Sequence, residues 1–318
     1  MNVGGMTIAP ESFGAMSGFL ASCTWALGTA VYSRLSHENS AFAVNFARAW
    51  IALPLFFLAA LISAGGFQQG FAEFALAGWS HLGWMALSMF ASYGMGDVIF
   101  LWSTRSLGVP GALAIASSSP FWTAWVGVIF LGQVLRPTQW FGLVLTLCGI
   151  ILVILNSPRG PDQSVSSIPM EETHKPKGVP WKGIAFAVLA SFFWSLNSFS
   201  VARGSAGISV FVANTIRMSF GVVLSTILGR FLAPGEPIVM PWKTIRPFLW
   251  LFALESFGGS FFYMTAFSKA PLVIAATMSS LAPVISVPVA WAFGMEKFSL
   301  FRTAGVALVA IGLSVLCS

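Results

Sequence analysis

The second half of the chain repeats features of the first half at two nearly constant spacings. Two motifs recur 169 positions later: Leu20-Ala21-Ser22 with Trp25 as Leu189-Ala190-Ser191 with Trp194, and Asn45-x-x-Arg48 as Asn214-x-x-Arg217. Further along, a spacing of 163 aligns Ser117 with Ser280, Pro120 with Pro283, Gly142 with Gly305 and Gly149 with Gly312. The spacing changes in a loop, where insertions cost little. Two related halves rich in apolar residues are typical of membrane transporters built from internal repeats.

The composition requires a nonpolar environment for much of the chain. Of the 318 residues, 57% are hydrophobic and only 8% are charged, whereas an ordinary soluble domain has about 25% charged residues. So few charges could not cover a water-soluble fold of this size. The formal charge of +6 does not indicate nucleic-acid binding, because the basic residues are scattered singly at the ends of apolar runs and form no patch.

The apolar runs predict an all-α membrane protein with ten transmembrane helices, because about 20 helical residues cross a bilayer core. We predict helices at 12–34, 40–64, 77–104, 110–133, 137–156, 181–203, 208–232, 244–268, 271–295 and 299–317. Pro110 and Pro271 are placed to open the fourth and ninth helices, because the first turn needs no amide hydrogen bond. The chain thus divides into a first five-helix repeat at 1–156, a polar linker at 157–180 and a second repeat at 181–318.

An odd number of crossings in each repeat makes the second repeat enter the membrane from the opposite side, so the two repeats are inverted. The basic residues outside the predicted helices or near their ends then fall unequally on the two sides. Eleven lie on one side, namely Arg34, Arg105, Arg159, Lys175, Lys177, Lys182, Arg230, Lys243, Arg246, Lys297 and Arg302. Three lie on the other, namely Arg136, Arg203 and Lys269. Cytoplasmic loops are the positive ones, which predicts a plasma (inner) membrane protein with a cytoplasmic linker and both termini outside.

No motif in the sequence indicates a cofactor or a metal ion. A phosphate-binding GxxxxGK[ST] motif, an HExxH motif and a nucleotide-binding glycine fingerprint are all absent from the sequence. The three histidines, His37, His81 and His174, fall in loops or at a helix end without a second ligand nearby in sequence. We therefore expect no cofactor and no metal, and any uphill transport would draw its energy from elsewhere.

Four charged residues stand out deep inside the predicted helices, where charges are expensive and are functional candidates by default. Arg48 and Arg217 are equivalent in the two repeats, each one turn after an asparagine, Asn45 or Asn214. Residues present in both halves are often architectural, bonding to neighbouring carbonyls or pairing at the repeat interface. The alternative is recognition of an anion or a carboxylate, which the planar guanidinium suits.

Asp97 and Glu255 are the two acids inside the predicted helices, and neither is duplicated. Their equivalents at the spacing of 163 are Ser260 and Ser92. Buried carboxylates can exchange protons as access alternates between the two sides of the membrane, which makes both candidates for proton coupling. The alternative is that each is an ion-pair partner of Arg48 or Arg217.

Aromatic and small polar residues form a second set of candidates for a solute cavity. Trp25 and Trp194 lie in the middle of the first helix of each repeat, too deep for the interfacial belt, and Tyr93 and Tyr263 lie on the third helices. They are either packing residues or cavity walls that accept apolar or aromatic solutes. Further hydrogen-bonding candidates are Asn197, Ser117 and Ser280, although such residues also join helices in membranes.

The arrangement resembles the drug/metabolite transporter superfamily, and specifically its EamA-type members. The resemblance rests on the repeated Leu-Ala-Ser and Asn-x-x-Arg motifs, on the Pro-bearing fourth helix of each repeat, and on how each repeat closes. The closing phrases are Phe130-Leu131-Gly132-Gln133 and Phe293-Gly294-Met295-Glu296. They are similar to the family's FLGE phrase, with Gln133 in place of its glutamate and Gly-Met before Glu296. The resemblance covers nearly the whole chain except the linker.

The resemblance implies a secondary carrier that exports or exchanges metabolites, commonly amino acids or small drugs, from a central cavity between the repeats. In that arrangement the candidate lining residues are Trp25, Tyr93, Asp97, Trp194, Asn197, Glu255 and Tyr263. The expected partners are a small-molecule substrate and the lipid bilayer, with no nucleic acid, in a monomer or a homodimer.

Three other functions stay open on the sequence. A flippase for lipid-linked substrates would need a lateral opening to the bilayer. An intramembrane acyl or prenyl transferase would need clustered His/Asp or Asp-rich metal motifs near one membrane face, and the sequence has none. A receptor or assembly subunit would not need inverted halves, which provide equivalent inward and outward conformations.

Overall fold

The structure, a computed structural model, describes residues 2–3, 6–7, 9–156, 181–285 and 299–316. After a two-residue antiparallel pair, Asn2–Val3 with Met6–Thr7, the described chain is helical. The first half contains α1 (Pro10–Glu38), α2 (Ala41–Ser63), α3 (Phe67–Ala75), α4 (Trp79–Met89), a first π-helical segment (Phe90–Gly96), α5 (Asp97–Ala116), α6 (Ser119–Leu131) and α7 (Pro137–Leu155). The second half contains α8 (Trp181–Gly204), α9 (Val210–Leu232), α10 (Trp242–Ile245), a 3₁₀ turn (Arg246–Phe248), α11 (Leu249–Phe252), a second π-helical segment (Ala253–Gly259), α12 (Ser260–Lys269), α13 (Leu272–Ser279) and α14 (Leu300–Leu316).

The all-helical class follows the sequence prediction, whereas the number of ten membrane crossings stays a prediction. By length and composition, four described helices can cross a bilayer: Ala41–Ser63, Trp79–Thr104, Trp181–Gly204 and Val210–Leu232. Helix α3 was not predicted. The predicted linker at 157–180, the end of the predicted helix 271–295, and Glu296 lie outside the described residues.

The boundary between the third and fourth predicted helices differs from the prediction. Helix α5 continues through Pro110, and the chain turns at Ser117 and Ser118. An interior proline loses one backbone hydrogen bond, but membrane helices tolerate it because neighbouring groups satisfy the freed carbonyl. The expectation that Pro110 opens a helix is therefore wrong. In the second repeat Pro271 does precede the first residue of α13.

Local sequence explains where several helices begin and end. The Ser40 hydroxyl accepts a hydrogen bond of 3.1 Å from the amide of Ala43 and caps the start of α2. Pro120 lies in the first turn of α6, where a missing amide proton costs nothing. Gly132 adopts a left-handed conformation with φ of 62° and ends α6. Pro120 and Gly132 thus mark the two ends of α6, the helix that leads into α7.

Equivalent helices of the two halves pack against each other in opposite directions. A Cβ atom at Gly142 would lie 2.7 Å from the carbonyl oxygen of Gly312, and one at Gly149 would lie 2.7 Å from that of Gly305. Because position 142 meets 312 while 149 meets 305, α7 and α14 run antiparallel. The small residues allow this close backbone approach. The halves are thus inverted repeats.

The pairing of the other helices obeys the same two-fold relation. Helices α2 and α9 also pack against each other. A Cβ atom at Gly221 would lie 3.0 Å from the Cβ atom of Ala49, and one at Gly229 would lie 3.1 Å from that of Phe42. Because the higher-numbered position of α9 meets the lower-numbered position of α2, these two helices are antiparallel as well. Helix α5 packs on α8, and the equivalent helix α12 packs on α1. Likewise α6 contacts α8 and α13 contacts α1. The first helix of each repeat is thereby enclosed by the third and fourth helices of the other.

The distribution of polarity is that of a membrane protein. Large apolar side chains such as Trp50, Ile62 and Phe141 are exposed on the outside. Charged and amide side chains, including Arg48, Asp97, Asn214, Arg217 and Glu255, are buried. A lipid solvent favours this arrangement, because only the interior offers partners to polar groups.

Candidate functional site: a cavity between the two repeats

A cavity of about 150 Å³ lies where the two repeats meet. Both repeats contribute to its wall through their first four helices, and neither α7 nor α14 reaches it. The residues expected from the sequence to line a cavity all border this one, namely Trp25, Tyr93, Asp97, Ser117, Trp194, Asn197, Glu255, Tyr263 and Ser280. Arg48 and Arg217 also border it, whereas Asn45 and Asn214 do not.

Irregular helix segments carry many of the lining residues, and they occur at equivalent places in both repeats. The two π-helical segments, Phe90–Gly96 and Ala253–Gly259, coincide when the spacing of 163 is applied. Helix breaks at Ser117–Ser118 and at Ser280–Leu281 also correspond at the same spacing. Such π segments and helix breaks are frequent at functional sites because they present backbone groups and redirect side chains.

Arg48 is at the centre of a buried ionic cluster that joins the repeats. Its Nη1 atom donates to Oδ2 of Asp97 at 2.7 Å, and its Nη2 atom donates to Oε1 of Glu255 at 3.0 Å. The Nε atom donates to Oε2 of Glu255 at 3.3 Å. Arg48 is only 4% exposed, so these contacts replace water as the source of its stabilisation. Both acids are therefore partners of Arg48, which was one of the two alternatives for each.

Neutral groups complete the surroundings of this cluster. The Tyr32 hydroxyl donates to Oε2 of Glu255 at 2.7 Å, and the Trp194 indole donates to Oδ1 of Asp97 at 2.9 Å. Rings of Trp25, Tyr32 and Tyr93 lie 5.3, 4.7 and 4.2 Å from the Arg48 guanidinium carbon. At these distances the ring faces attract the cation.

Asn45 links Arg48 to the π-helical backbone. Its Oδ1 atom accepts from Nη1 of Arg48 at 3.0 Å, and its Nδ2 atom donates to the carbonyl oxygen of Tyr93 at 2.9 Å. A π-helical segment leaves backbone carbonyls without their regular partners, and a side-chain amide can satisfy one of them. In the first repeat these two hydrogen bonds connect the Asn-x-x-Arg motif to the π-helical backbone.

Arg217 has different surroundings although it occupies the equivalent position. Its Nε atom donates to the Ser88 hydroxyl at 2.8 Å, and its Nη2 atom donates to the Ser92 hydroxyl and to Oδ1 of Asn197, both at 3.3 Å. Within the described residues no carboxylate lies within 4.0 Å of it. Asn214 is equivalent to Asn45, whose Oδ1 atom accepts a hydrogen bond from Arg48. The Oδ1 atom of Asn214 has no hydrogen-bond partner among the described residues.

A neutral hydrogen-bond network extends from Arg217 along the cavity wall. The Asn197 amide donates to the Tyr263 hydroxyl at 2.9 Å, and the Ser198 hydroxyl lies 2.9 Å from the same oxygen. Ser88 donates to Oδ1 of Asn197 at 2.7 Å. These bonds fix the orientation of the amide and the phenol, which border the cavity together with Arg217.

Sequence reasoning missed Tyr32 and Ser88. Tyr32 lies seven residues after Trp25, two helical turns along the same face of α1, and this spacing could have indicated it. Ser88 precedes the first π-helical segment and carries no such signal. No group of three or more His, Cys, Asp or Glu side chains that could hold a metal ion occurs in the ranges that the structure covers.

Comparison with known proteins agrees with this architecture. The model of the EamA-like transporter family matches residues 12–155 and 181–318. Among solved structures, 22 chains match. One, described only as "Crystal structure of protein", has a TM-score of 0.69 and 17% sequence identity over 96% of each chain. At that identity the likeness shows the fold alone. No curated protein matches the chain.

The family match covers both repeats and nearly all of the described residues. It confirms the resemblance to the drug/metabolite transporter superfamily, and with the apolar helices it makes the protein an integral, multi-pass membrane protein. The chain belongs to the EamA-like transporter family, whose members move small solutes across membranes.

Proposed function

We propose that this protein is a secondary active carrier that exports or exchanges small organic metabolites across the plasma membrane by alternating access. The observation that carries the proposal is the cavity between two antiparallel repeats, with equivalent residues such as Trp25 and Trp194 on its wall. In this proposal the chain crosses the membrane ten times as a monomer or a homodimer, with both termini outside and the linker in the cytoplasm.

The two-fold relation supports alternating access on physical grounds. Inverted repeats can exchange their conformations, so an inward-open state implies a corresponding outward-open state. The helix interruptions at Ser117–Ser118 and Ser280–Leu281 provide hinges beside the cavity. Rocking of one repeat against the other would then open the cavity alternately to each side.

Counterflow in proteoliposomes tests the transport proposal. Vesicles loaded with an unlabelled amino acid or aromatic metabolite should accumulate the same labelled solute transiently, and protein-free vesicles should not. A panel of amino acids, aromatic acids and neutral drug-like solutes would identify the accepted class. Absence of counterflow for the whole panel, together with scrambling of a fluorescent lipid, would contradict a solute carrier and favour a flippase.

We also propose that the cluster around Arg48 couples transport to protons. One guanidinium faces two carboxylates, Asp97 and Glu255, at 2.7 and 3.0 Å, so the cluster has one carboxylate more than its cation can neutralise. That surplus carboxylate is the group that would take up a proton as access changes.

Flux driven by a pH gradient tests the coupling. Asp97→Asn or Glu255→Gln should abolish gradient-driven flux while leaving counterflow measurable, because exchange needs no net proton movement. Glu236→Gln, at an exposed glutamate, is the matched control and should behave as the unaltered protein. Gradient dependence that survives in both cluster variants refutes the coupling and leaves the transport proposal intact.

A further inference from the structure

The two repeats place different charges around equivalent arginines. Under the repeat relation, Arg48 corresponds to Arg217, Asp97 to Ser260 and Glu255 to Ser92. The correspondence is also geometric, because Arg48 bonds to Glu255 while Arg217 bonds to Ser92. Both carboxylates of the first site are thus hydroxyls in the second, and the second guanidinium lacks the anions that the first one has.

Arg217 is a buried cation that its neutral neighbours do not compensate. It is 4% exposed, and its described partners are two serine hydroxyls and an amide oxygen. Hydroxyls and amides satisfy hydrogen bonds but leave the net charge, and a charge buried in a membrane protein usually pairs with another. Asp97 and Glu255 border the same cavity, but both carboxylates bond to Arg48, so a solute in the cavity can bring an anion into direct contact with Arg217.

We propose that Arg217 is the binding residue for the carboxylate of the transported solute, an inference that rests on the proposed carrier function. The guanidinium presents a planar set of donors that matches a carboxylate. The hydrogen bonds that the structure describes for it involve Nε and Nη2. Ser92, Asn197 and Tyr263, which border the same cavity, position the guanidinium and the carboxylate.

The cavity also limits the rest of the solute. Its volume of about 150 Å³ is close to that of an engineered protein cavity that holds one benzene ring. The rings of Trp25 and Trp194 border it and offer apolar surface to a body of that size. The surplus carboxylate near Arg48 repels a second anionic group. The site therefore selects monocarboxylates with a compact apolar or aromatic body over dicarboxylates.

Binding to the purified full-length protein in detergent tests this proposal without requiring transport. The probes are benzoate, 3-phenylpropanoate and L-phenylalanine, each compared by calorimetry with its own amide, and phthalate as the dicarboxylate. We expect at least one monocarboxylate to bind more tightly than its amide and than phthalate. Amides that bind as tightly as the acids, or acids that all fail to bind, overturn the proposal.

Two variants connect the preference to Arg217. Arg217→Gln should weaken binding of the preferred acid by about 10- to 100-fold, the worth of a hydrogen bond to a charged group, and leave binding of its amide unchanged. Arg203→Gln, at an exposed arginine of α8, is the matched control. An unchanged acid preference in Arg217→Gln overturns the proposal.

Ser92→Asp is the second variant and keeps the test valid if loss of Arg217 impairs folding. It places a carboxylate next to Nη2 of Arg217, in imitation of Glu255 beside Arg48, and should neutralise the cation without removing it. We expect a folded protein with a melting temperature at least equal to that of the unaltered protein and no preference for acids over amides. Retention of the preference would overturn the assignment.

The outcomes for binding and for transport are separable. Acid-selective binding that depends on Arg217, without counterflow of any solute, leaves the carboxylate site standing and contradicts the carrier. Counterflow of neutral solutes that is unaffected by Arg217→Gln leaves the carrier standing and contradicts the carboxylate site.

Discussion

Arg48 and Arg217 occupy equivalent positions on antiparallel helices, yet they lie in different electrostatic surroundings. Arg48 contacts two carboxylates and the faces of three aromatic rings. Arg217 contacts two hydroxyls and an amide oxygen, with one ring, Tyr263, at 5.9 Å. Both side chains are 4% exposed, so the difference lies in their partners and not in their burial.

This contrast shows how a duplicated fold can become chemically asymmetric while the backbone features beside its cavity stay symmetric. The π-helical segments and the helix breaks at Ser117–Ser118 and Ser280–Leu281 correspond in the two repeats. Asp97 of the first repeat corresponds to Ser260 of the second, and Glu255 of the second repeat corresponds to Ser92 of the first. At both pairs of equivalent positions, one repeat has a carboxylate and the other has a hydroxyl. The first arginine is thereby paired with two carboxylates, one from each repeat, whereas the second has only neutral partners among the described residues.

The largest expected effect on stability is that of Arg48→Gln. This change leaves Asp97 and Glu255 buried without their cation, and breaking a buried ion pair in this way costs about 3–5 kcal/mol. We expect a loss of that size in the free energy of unfolding, measured by denaturant or thermal unfolding of the purified protein in detergent micelles.

Arg217→Gln is the matched control for this prediction. Its partners are neutral, so we expect a smaller loss of about 1 kcal/mol, because no buried anion is left behind and removal of an uncompensated buried cation offsets much of the cost of the lost hydrogen bonds. Adding Glu255→Gln to Arg48→Gln should recover part of the lost stability, because one unpaired carboxylate is removed. Equal losses for the two arginine variants would show that the two sites are electrostatically alike.

Much of the fold could be predicted from the sequence because membrane helices carry their own signal. The apolar runs predict nine helix starts to within three residues of the observed ones. For example, the helix predicted to begin at 40 begins at Ala41, and the one predicted to begin at 181 begins at Trp181. The exception, Pro110, shows the limit of local rules, since a proline that stops a soluble helix is accommodated in an apolar one. Helix α3 was missed because it is short and has no membrane-length apolar run.

The site could be predicted only in part. The repeat comparison pointed to both arginines and to the unduplicated acids, because charge within an apolar run is conspicuous in sequence. It could not show that both acids face Arg48, since Asp97 and Glu255 lie in different repeats and meet only through the inverted packing. Tyr32 was missed because its importance depends on the direction of one hydroxyl.

An intermediate effect is expected for Tyr32→Phe. The lost hydroxyl donates to Oε2 of Glu255 at 2.7 Å in a buried site, and a hydrogen bond to a charged group contributes about 1.5–3 kcal/mol. Loss of unfolding free energy in that range, measured as for Arg48→Gln, would show that Glu255 is charged and depends on this donor.

Tyr263→Phe supplies the comparison on the Arg217 side. Its hydroxyl bonds to the neutral groups of Asn197 and Ser198 beside the cavity, so the expected loss is about 0.5–1.5 kcal/mol. If the loss for Tyr263→Phe matched or exceeded that for Tyr32→Phe, the contrast between a charged and a neutral site would not hold.

The last comparison is that of Trp194→Phe with Trp122→Phe, which distinguishes a charged acceptor from a neutral one within the same side-chain type. The Trp194 indole donates to Asp97 at 2.9 Å, and the Trp122 indole donates to the Ser191 hydroxyl at 3.1 Å. Both indoles are partly buried. Replacing either ring with phenylalanine keeps most of the packing and removes the donor.

We expect a loss of about 1.5 kcal/mol for Trp194→Phe and about half of that for Trp122→Phe, because bonds to ionised acceptors are roughly twice as strong. Equal losses in the same unfolding measurement would mean that Asp97 is not charged in the folded state, and the surplus negative charge beside Arg48 would disappear with it.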